Sequence, residues 1–219
     1  MNFEFHAAIF DLDGTLLDTI EDLGAAMNRT LTHYGFPTLP IEHHTRAVGN
    51  GMKKFSERCI PEEKRDDDAF LTEFTARMKK DYQDNSMVRT KPFDGIFPLL
   101  DKMQEKGILL SVLTNKVDSF AKEMIAHYFN DYDFKLVVGE RQGIPKKPNP
   151  RMANFILGSL GVTPCKAVFI GDSIYDIQTG RNAGMTTIGA AWGYQPKELL
   201  LTENPMLISD TPFDLCKRI

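Results

Sequence analysis

The sequence predicts an α/β protein whose core is a doubly wound, Rossmann-like parallel sheet with a small α-helical domain inserted into it. From residue 96 onward, short apolar runs alternate with amphipathic helical patterns, which is typical of parallel βαβ units. Residues 18–85 instead carry helical periodicity and no strand pattern. Because the apolar run 7–10 reads as a strand and precedes those helices, we expect an insertion after the first strand. The predicted boundaries are 1–17 plus 89–219 for the core and 18–88 for the inserted domain.

Apolar residues at three- and four-residue spacing predict the helices of the inserted domain. The first helix begins after Asp18 or Thr19, either of which is a suitable N-cap, and it ends before Gly35 and Pro37. The later helices are predicted at 41–47, at a stretch that contains 52–59, and at a longer stretch that contains 70–82.

Apolar runs bounded by glycine, proline and polar residues predict the core elements. Strands are expected at 7–10, 108–113, 136–138, 167–170, 186–190 and 206–209. Helices are expected at 96–106, 118–129, 150–160 and 173–183. For the helix that starts at residue 118, Asp118 alone would suffice as the N-cap.

The bulk composition excludes several classes of protein. With 219 residues and a net charge of −4, the chain is long enough for a proper core and has no broad basic surface, so nucleic acid is not expected as a partner. Its three cysteines are far apart, which argues against a disulfide framework and a zinc site. No stretch approaches the ~20 apolar residues of a membrane span, and no signal peptide is recognisable. We therefore expect a cytoplasmic protein with no membrane partner, either a monomer or a homodimer.

Two carboxylates follow the first strand, at the point where it should end. Asp11 and Asp13 are separated by one residue, and alternate residues of a strand share a face, so the two acids would crowd one site. Gly14 lets the chain bend there, and such a pair suits a hard cation such as Mg²⁺. An EF-hand loop is a poor alternative, because its sixth and twelfth positions would be Leu16 and Asp22. A plain polar turn remains open for this motif alone.

Polar residues also follow the second core strand and precede a later helix. Thr114 and Asn115 end an apolar run, where a hydroxyl and an amide can donate to phosphate oxygens, although ordinary helix entry would explain them too. Lys147 lies in a proline-rich segment, and a lysine held there can balance phosphate charge. The alternative for Lys147 is an exposed lysine in a turn.

A third polar cluster follows the strand at 167–170. Asp172 lies at the strand end, and Asp176 returns to the same helical face four residues later. Ser173 with Asp176 also fits a capping box, which would explain that pair but not Asp172. Ligands of open α/β sheets bind beyond the carboxyl ends of the strands, so we expect the clusters to converge. The acids would then form a Mg²⁺ site, and the Thr, Asn and Lys side chains a phosphate cradle.

In this order, the motifs resemble the phosphatase branch of the haloacid dehalogenase-like superfamily, over nearly the whole chain. The four motifs are Asp11-Leu12-Asp13-Gly14-Thr15, Thr114, Lys147, and Gly171-Asp172 with Asp176. The inserted helices resemble the small helical cap of the phosphoglycolate phosphatase-like subgroup. Gly49-Asn50-Gly51 and Lys147-Pro148-Asn149-Pro150 resemble that subgroup as well.

The resemblance implies a Mg²⁺-dependent phosphatase. Asp11 would attack phosphorus and form an aspartyl-phosphate, and Asp13 would act as general acid and then general base. Mg²⁺ would be bound by Asp11, the backbone carbonyl of Asp13 and Asp172. Asp176 would orient metal-bound water or a ligand.

The resemblance also implies how a small phosphorylated substrate is held. Thr114 and Lys147, with Asn115, would hold the transferring oxygens. Arg46 and Gly49-Asn50-Gly51 of the inserted domain would contact the leaving group, since glycines allow close approach and arginine grips a carboxylate with two hydrogen bonds. This favours 2-phosphoglycolate, followed by other small phosphates or pyrophosphate. A solvated Arg46 followed by a helix-ending glycine is the alternative.

Other members of the superfamily remain as alternatives. A sugar-phosphate mutase shares all four motifs, and a pyrophosphatase is also open, whereas Asp13 argues against a dehalogenase. A phosphonate hydrolase would use a cap lysine, for which Lys53 and Lys54 are candidates, but the stretch 49–52 does not fit that subgroup well. A non-catalytic binding protein on this fold is disfavoured, because every expected polar residue is present.

Overall fold

The computed structural model describes residues 4–219, which form two compact units. An α/β unit comprises residues 4–17 and 92–219, and a helical unit comprises Asp18–Lys91. The chain leaves the first unit and returns to it through two short strands, Leu17–Asp18 and Lys91–Pro92, which pair with each other.

Eight strands and ten helices follow one another along the described residues. In chain order they are β1 (Ala7–Phe10), β2 (Leu17–Asp18), α1 (Ile20–His33), α2 (Ile41–Ala47), α3 (Met52–Cys59), α4 (Asp68–Asn85), β3 (Lys91–Pro92), α5 (Ile96–Glu105), β4 (Leu109–Val117), α6 (Asp118–Tyr128), β5 (Phe134–Glu140), α7 (Arg151–Leu160), β6 (Ala167–Gly171), α8 (Ile174–Asn182), β7 (Thr186–Ala190), α9 (Lys197–Leu201), β8 (Leu207–Ser209) and α10 (Pro212–Cys216). Short 3₁₀ turns lie at Glu62–Lys64 and Pro164–Lys166.

The α/β unit is built on a six-stranded sheet with the order β5-β4-β1-β6-β7-β8, in which every pairing is parallel. The chain winds outward from β1 through β4 and β5 on one side, and then through β6, β7 and β8 on the other. Phe10 at the end of β1 is paired with Val112 of β4 and Ile170 of β6. The predicted doubly wound fold is confirmed, and the winding reverses at β1, where ligands of such sheets bind.

The central strand is buried on both faces. All four residues of β1 have no exposed surface, and Ile9 packs in one cluster with Phe169 of β6 and Ile156 of α7. Because helices cover both faces, β1 is a continuous apolar run instead of an alternating one.

Strand β4 differs from its prediction in length. It was expected to end at Leu113, but it continues through Thr114, Asn115 and Lys116 to Val117, with a register irregularity against β5. The prediction ended the strand before the run of three polar residues, which is wrong here because these polar side chains are buried. The short helices α9 and α10 were not predicted.

One capping prediction needs correction, and another is confirmed in position only. Val117, not Asp118, is the N-cap of α6, and the Asp118 carboxylate instead accepts a hydrogen bond of 2.9 Å from the Gly139 N–H in β5. Thr19 is the N-cap residue of α1, but its side chain makes no capping hydrogen bond.

The helical unit contains α1 to α4, as the periodicity predicted. Helices α1 and α4 pack together, and the fully buried side chains Met27, Phe74, Met78 and Tyr82 lie on these two helices. Across residues 4–219, none of the helices combines the length and apolar character needed to span a bilayer.

Candidate active site

The polar residues predicted from the sequence of the α/β unit lie at the carboxyl ends of three adjacent strands. Asp11 follows β1, Thr114 lies in the second half of β4, and Asp172 follows β6. Because β1 pairs in register with both neighbours, the polar residues that follow the three strands reach the same edge of the sheet.

Three of the acids form a tight, buried group. One carboxylate oxygen each from Asp11, Asp172 and Asp176 lies within 4.8 Å of the others. The pKa of Asp11 is raised to about 6, because burial and the charge of Asp176 raise it by more than the charge of Lys147 and the hydrogen bonds from Lys147 and Thr114 lower it. Burial also raises the pKa of Asp172, as do the charges of Asp11 and Asp176. The group therefore concentrates negative charge where water cannot screen it.

Lys147 is the cation of this group. Its Nζ lies 2.9 Å from Oδ1 of Asp11 and 2.6 Å from Oδ1 of Asp176, and 5.7 Å from the centre of the Phe169 ring. Burial lowers the pKa of Lys147, but the two carboxylates outweigh this and raise it. The alternative of an exposed turn lysine is excluded, because only 4% of the residue is accessible.

Asn115 holds the backbone of Lys147 in place. The Lys147 N–H donates to Asn115 Oδ1 at 3.0 Å, and Asn115 Nδ2 donates to the Lys147 carbonyl at 3.4 Å. The amide was expected beside the phosphate, and the structure instead engages both of its ends with the lysine segment.

The capping box predicted for α8 is present, and it also serves the acid group. The N–H and the hydroxyl of Ser173 donate to Asp176 Oδ2 at 2.9 and 2.6 Å, while Oδ1 faces Lys147. One carboxylate thus starts the helix and orients the lysine.

Asp172 is held by Thr15, which belongs to the first motif but had no predicted role, and by Tyr194, which was not predicted as a site residue. Its Oδ1 accepts from the Thr15 hydroxyl at 3.0 Å, and its Oδ2 accepts from the Tyr194 N–H at 2.9 Å. At Gly193, an added Cβ would lie 2.2 Å from Asp172 Cβ and 2.2 Å from the Gly14 carbonyl oxygen. The segment after β7 therefore approaches the acids as closely as a glycine allows, and Gly193 was its only signal in the sequence.

Asp13 does not belong to the three-acid group. Its carboxylate instead receives Lys116 Nζ at 2.9 and 3.2 Å. Lys116 was not predicted as a site residue, although it follows Thr114 by two positions and so shares its side of β4.

The predicted substrate contacts Arg46, Gly49, Asn50 and Gly51 lie in the helical unit, in the last turn of α2 and the connection to α3. Arg46 is exposed. The next three named residues all have positive φ, at 96°, 66° and 86°. A Cβ at Gly49 would meet nothing within 4 Å, so its backbone angle, and not crowding, favours glycine there.

Comparison with known proteins points to one family. Residues 8–190 match the model described as haloacid dehalogenase-like hydrolase. The chain is 32% identical to the phosphoglycolate phosphatase of Aquifex aeolicus over 209 residues, which is 95% of this chain and 94% of that protein. It is also 32% identical to the phosphoglycolate phosphatase of Psychrobacter arcticus over 203 residues, or 90% and 88% of the two chains.

Solved structures agree with this match. A crystal structure from Lactobacillus delbrueckii subsp. bulgaricus superposes with a TM-score of 0.90 at 30% identity, over 98% of both chains. Its own assignment as a phosphoglycolate phosphatase is provisional. A structure from Bacteroides fragilis, with a TM-score of 0.87 at 20% identity, shares the fold.

Proposed function

Since this chain belongs to the haloacid dehalogenase-like hydrolase family and is a phosphoric monoester hydrolase, we propose that it hydrolyses a small phosphomonoester with Mg²⁺ through an aspartyl-phosphate. The first candidate substrate is 2-phosphoglycolate, which the names of the curated relatives support. The observation that carries the proposal is the buried group of Asp11, Asp172 and Asp176 with Lys147 beside it.

The donor set fits a hard divalent cation. It consists of carboxylates alone, and Lys147 can balance only part of their charge. Asp11, Asp172 and the backbone carbonyl of Asp13 would hold Mg²⁺, with Asp176 orienting a metal-bound water or a ligand. When bound, the cation offsets repulsion between the anionic nucleophile and the anionic phosphate.

Asp11 is the proposed nucleophile. One carboxylate oxygen attacks phosphorus, and the bond from phosphorus to the leaving oxygen breaks as Asp13 supplies a proton to that oxygen. In the second half, a water oxygen attacks phosphorus, the aspartyl-phosphate bond breaks, and Asp13 takes the proton of the water. Asp11 is thereby regenerated and inorganic phosphate is released.

Thr114 and Lys147 are the proposed contacts to the transferring oxygens, where positive charge and a hydroxyl stabilise the transition state. Asn115 supports this role by fixing the backbone of Lys147. On the substrate side, Arg46 with Gly49-Asn50-Gly51 stays the proposed contact to the leaving group.

The test is release of inorganic phosphate by the full chain with Mg²⁺ from a panel of phosphomonoesters and pyrophosphate. We expect the highest kcat/KM for 2-phosphoglycolate. A sugar-phosphate mutase would instead convert a sugar phosphate to its isomer without net phosphate release. Failure to release phosphate from every compound, aryl phosphates included, would refute the proposal.

A further inference from the structure

A second buried cation lies beside the proposed general acid. Lys116 Nζ is 2.9 Å from Oδ1 and 3.2 Å from Oδ2 of Asp13. The side chain of Lys116 is 2% exposed and that of Asp13 is 18% exposed. Burying a lysine side chain to this extent is costly unless it has a strong anionic partner. Asp13 is that partner, so Lys116 belongs to the site and is not a surface lysine.

The strand geometry explains why this cation lies where it does. Asp11 and Asp13 follow β1, and Thr114 and Lys116 lie on the neighbouring β4, each pair separated by one residue. Thr114 is hydrogen-bonded to Asp11, Lys116 meets Asp13, and the Lys116 N–H donates to the Thr114 hydroxyl at 3.2 Å. The site therefore contains two interacting pairs, Thr114 with Asp11 and Lys116 with Asp13.

The proposed reaction requires these two pairs to contact different parts of the substrate. In an in-line displacement, the leaving oxygen departs on the side of phosphorus opposite to the nucleophile. If Asp11 attacks, Asp13 must contact the leaving oxygen to protonate it. Lys116, within hydrogen-bond distance of Asp13, then lies next to whatever the leaving oxygen is attached to.

We propose that Lys116 determines specificity for a leaving group that carries a carboxylate close to the ester oxygen, which it binds while it keeps Asp13 oriented. A lysine ammonium has three donors, so one can remain on Asp13 while another meets a substrate anion. A glycolate leaving group has its carboxylate one carbon from the ester oxygen, so a cation beside the residue that protonates this oxygen is within reach of the carboxylate. This inference rests on the proposed phosphatase function and names the substrate class of the same site.

The experiment compares two esters that differ only in that charge, 2-phosphoglycolate and 2-phosphoglycolamide. The kcat/KM of each is measured for wild type, K116M and K116Q, with K122M on the exposed face of α6 as the matched control. We expect wild type to prefer the carboxylate by about tenfold or more, the scale of one charge-assisted hydrogen bond. We expect both Lys116 variants to show that preference reduced by about tenfold, and K122M to retain it.

K116M and K116Q distinguish the effect of the Lys116 charge from the effect of its hydrogen bond to Asp13. Glutamine keeps a hydrogen-bond donor for Asp13 but no charge, so K116Q should spare the amide ester better than K116M does, while the carboxylate preference is reduced in both. If K116M does not fold, as judged by circular dichroism, K116Q carries the test. K116R, which retains the cation, should restore much of the preference.

The outcomes that overturn the inference are specific. Equal losses on both esters would mean that Lys116 acts only through Asp13, and a wild type without preference for the carboxylate would mean that no such contact forms. In either case the enzyme would still release phosphate from the amide ester, so the proposed function would stand. Absence of phosphate release from any monoester would instead refute the function itself.

Discussion

The buried carboxylate of Asp22, in the first turn of α1, accepts a hydrogen bond of 2.7 Å from the hydroxyl of Thr90. The same carboxylate accepts from the backbone N–H groups of Val88, Arg89 and Thr90 at 2.9 to 3.1 Å. The two residues are 68 positions apart, at the start and end of the helical unit. One side chain therefore fastens the returning segment to the first helix, next to the pair of strands through which the chain enters and leaves this unit.

Replacement of Asp22 should destabilise the protein strongly. D22A leaves three backbone donors and one hydroxyl without their acceptor, so we expect a loss of about 2 to 4 kcal/mol in the free energy of unfolding. Urea denaturation measures it. The control is E21Q, because Glu21 is a neighbouring acid with only an exposed ion pair to Arg89, and it should change stability by less than about 0.5 kcal/mol. Similar losses for both variants would show that the hydrogen bonds to Asp22 contribute no more to stability than the exposed ion pair of Glu21.

D11N should abolish turnover and leave the fold intact. An amide cannot form the aspartyl-phosphate and is a poorer ligand for Mg²⁺. Steady-state phosphate release and circular dichroism provide the two measurements, with D131N in an exposed turn as the control of unchanged rate. Residual activity above about a hundredth of wild type would contradict nucleophilic catalysis by Asp11.

Removal of divalent metal should stop the reaction, and added Mg²⁺ should restore it. A readout independent of activity is available, because a ligand that binds the folded state raises the melting temperature. Mg²⁺ should therefore raise the melting temperature of wild type, and should raise that of D172N much less. Full activity in excess chelator would refute the metal site.

G193A should impair the site, although Gly193 is not itself a proposed catalytic or metal-binding residue. The added methyl would lie 2.2 Å from both Asp172 Cβ and a backbone oxygen, so Asp172 or the segment must shift. We expect a loss of about tenfold or more in kcat, since a small misplacement is costly in a preorganised site. We also expect weaker Mg²⁺ binding, measured as a higher Mg²⁺ concentration for half-maximal activity. The control is G158A in the last turn of α7, where a Cβ meets nothing within 4 Å and should be neutral or stabilising. Wild-type kinetics in G193A would show that this segment does not support Asp172.

R46A tests the predicted contact from the helical unit. If Arg46 grips a carboxylate, kcat/KM for 2-phosphoglycolate should fall by about tenfold or more, while that for an aryl phosphate with a neutral leaving group should barely change. R77A, an exposed arginine on α4, is the matched control. Equal losses on both substrates would mean that Arg46 supports the helical unit or the phosphate itself.

Local patterns in the sequence determined most of the architecture. Strands β1 and β7 lie where their apolar runs predicted, and the helices of the inserted region follow their periodicity. The burial of one face of a helix, or of both faces of a central strand, leaves a repeat that neighbouring residues alone reveal. The positions of Asp11 and Asp172 were also predictable from the local sequence, because each residue follows a strand and parallel strands end at the same edge of the sheet.

Sequence patterns gave wrong predictions where a polar residue is buried against a partner that is distant in the sequence. Strand β4 was ended too early at Thr114, since a hydroxyl, an amide and a lysine in a row look like solvent-exposed chain. Their partners lie far away in sequence: Lys116 meets Asp13 over 103 positions, and Asn115 meets Lys147 over 32. No local periodicity records such a pair.

The sequence by itself therefore determined which residues reach the carboxyl edge of the sheet, and the tertiary structure decided what each of them does there. It placed Lys147 between Asp11 and Asp176, turned Asn115 toward the Lys147 backbone, and brought the Tyr194 N–H to Asp172. The physical reason is that burying a charge is favourable only when its partner is at hydrogen-bond distance. That distance is set by the packing of segments that are remote in the chain, and no stretch of sequence contains it.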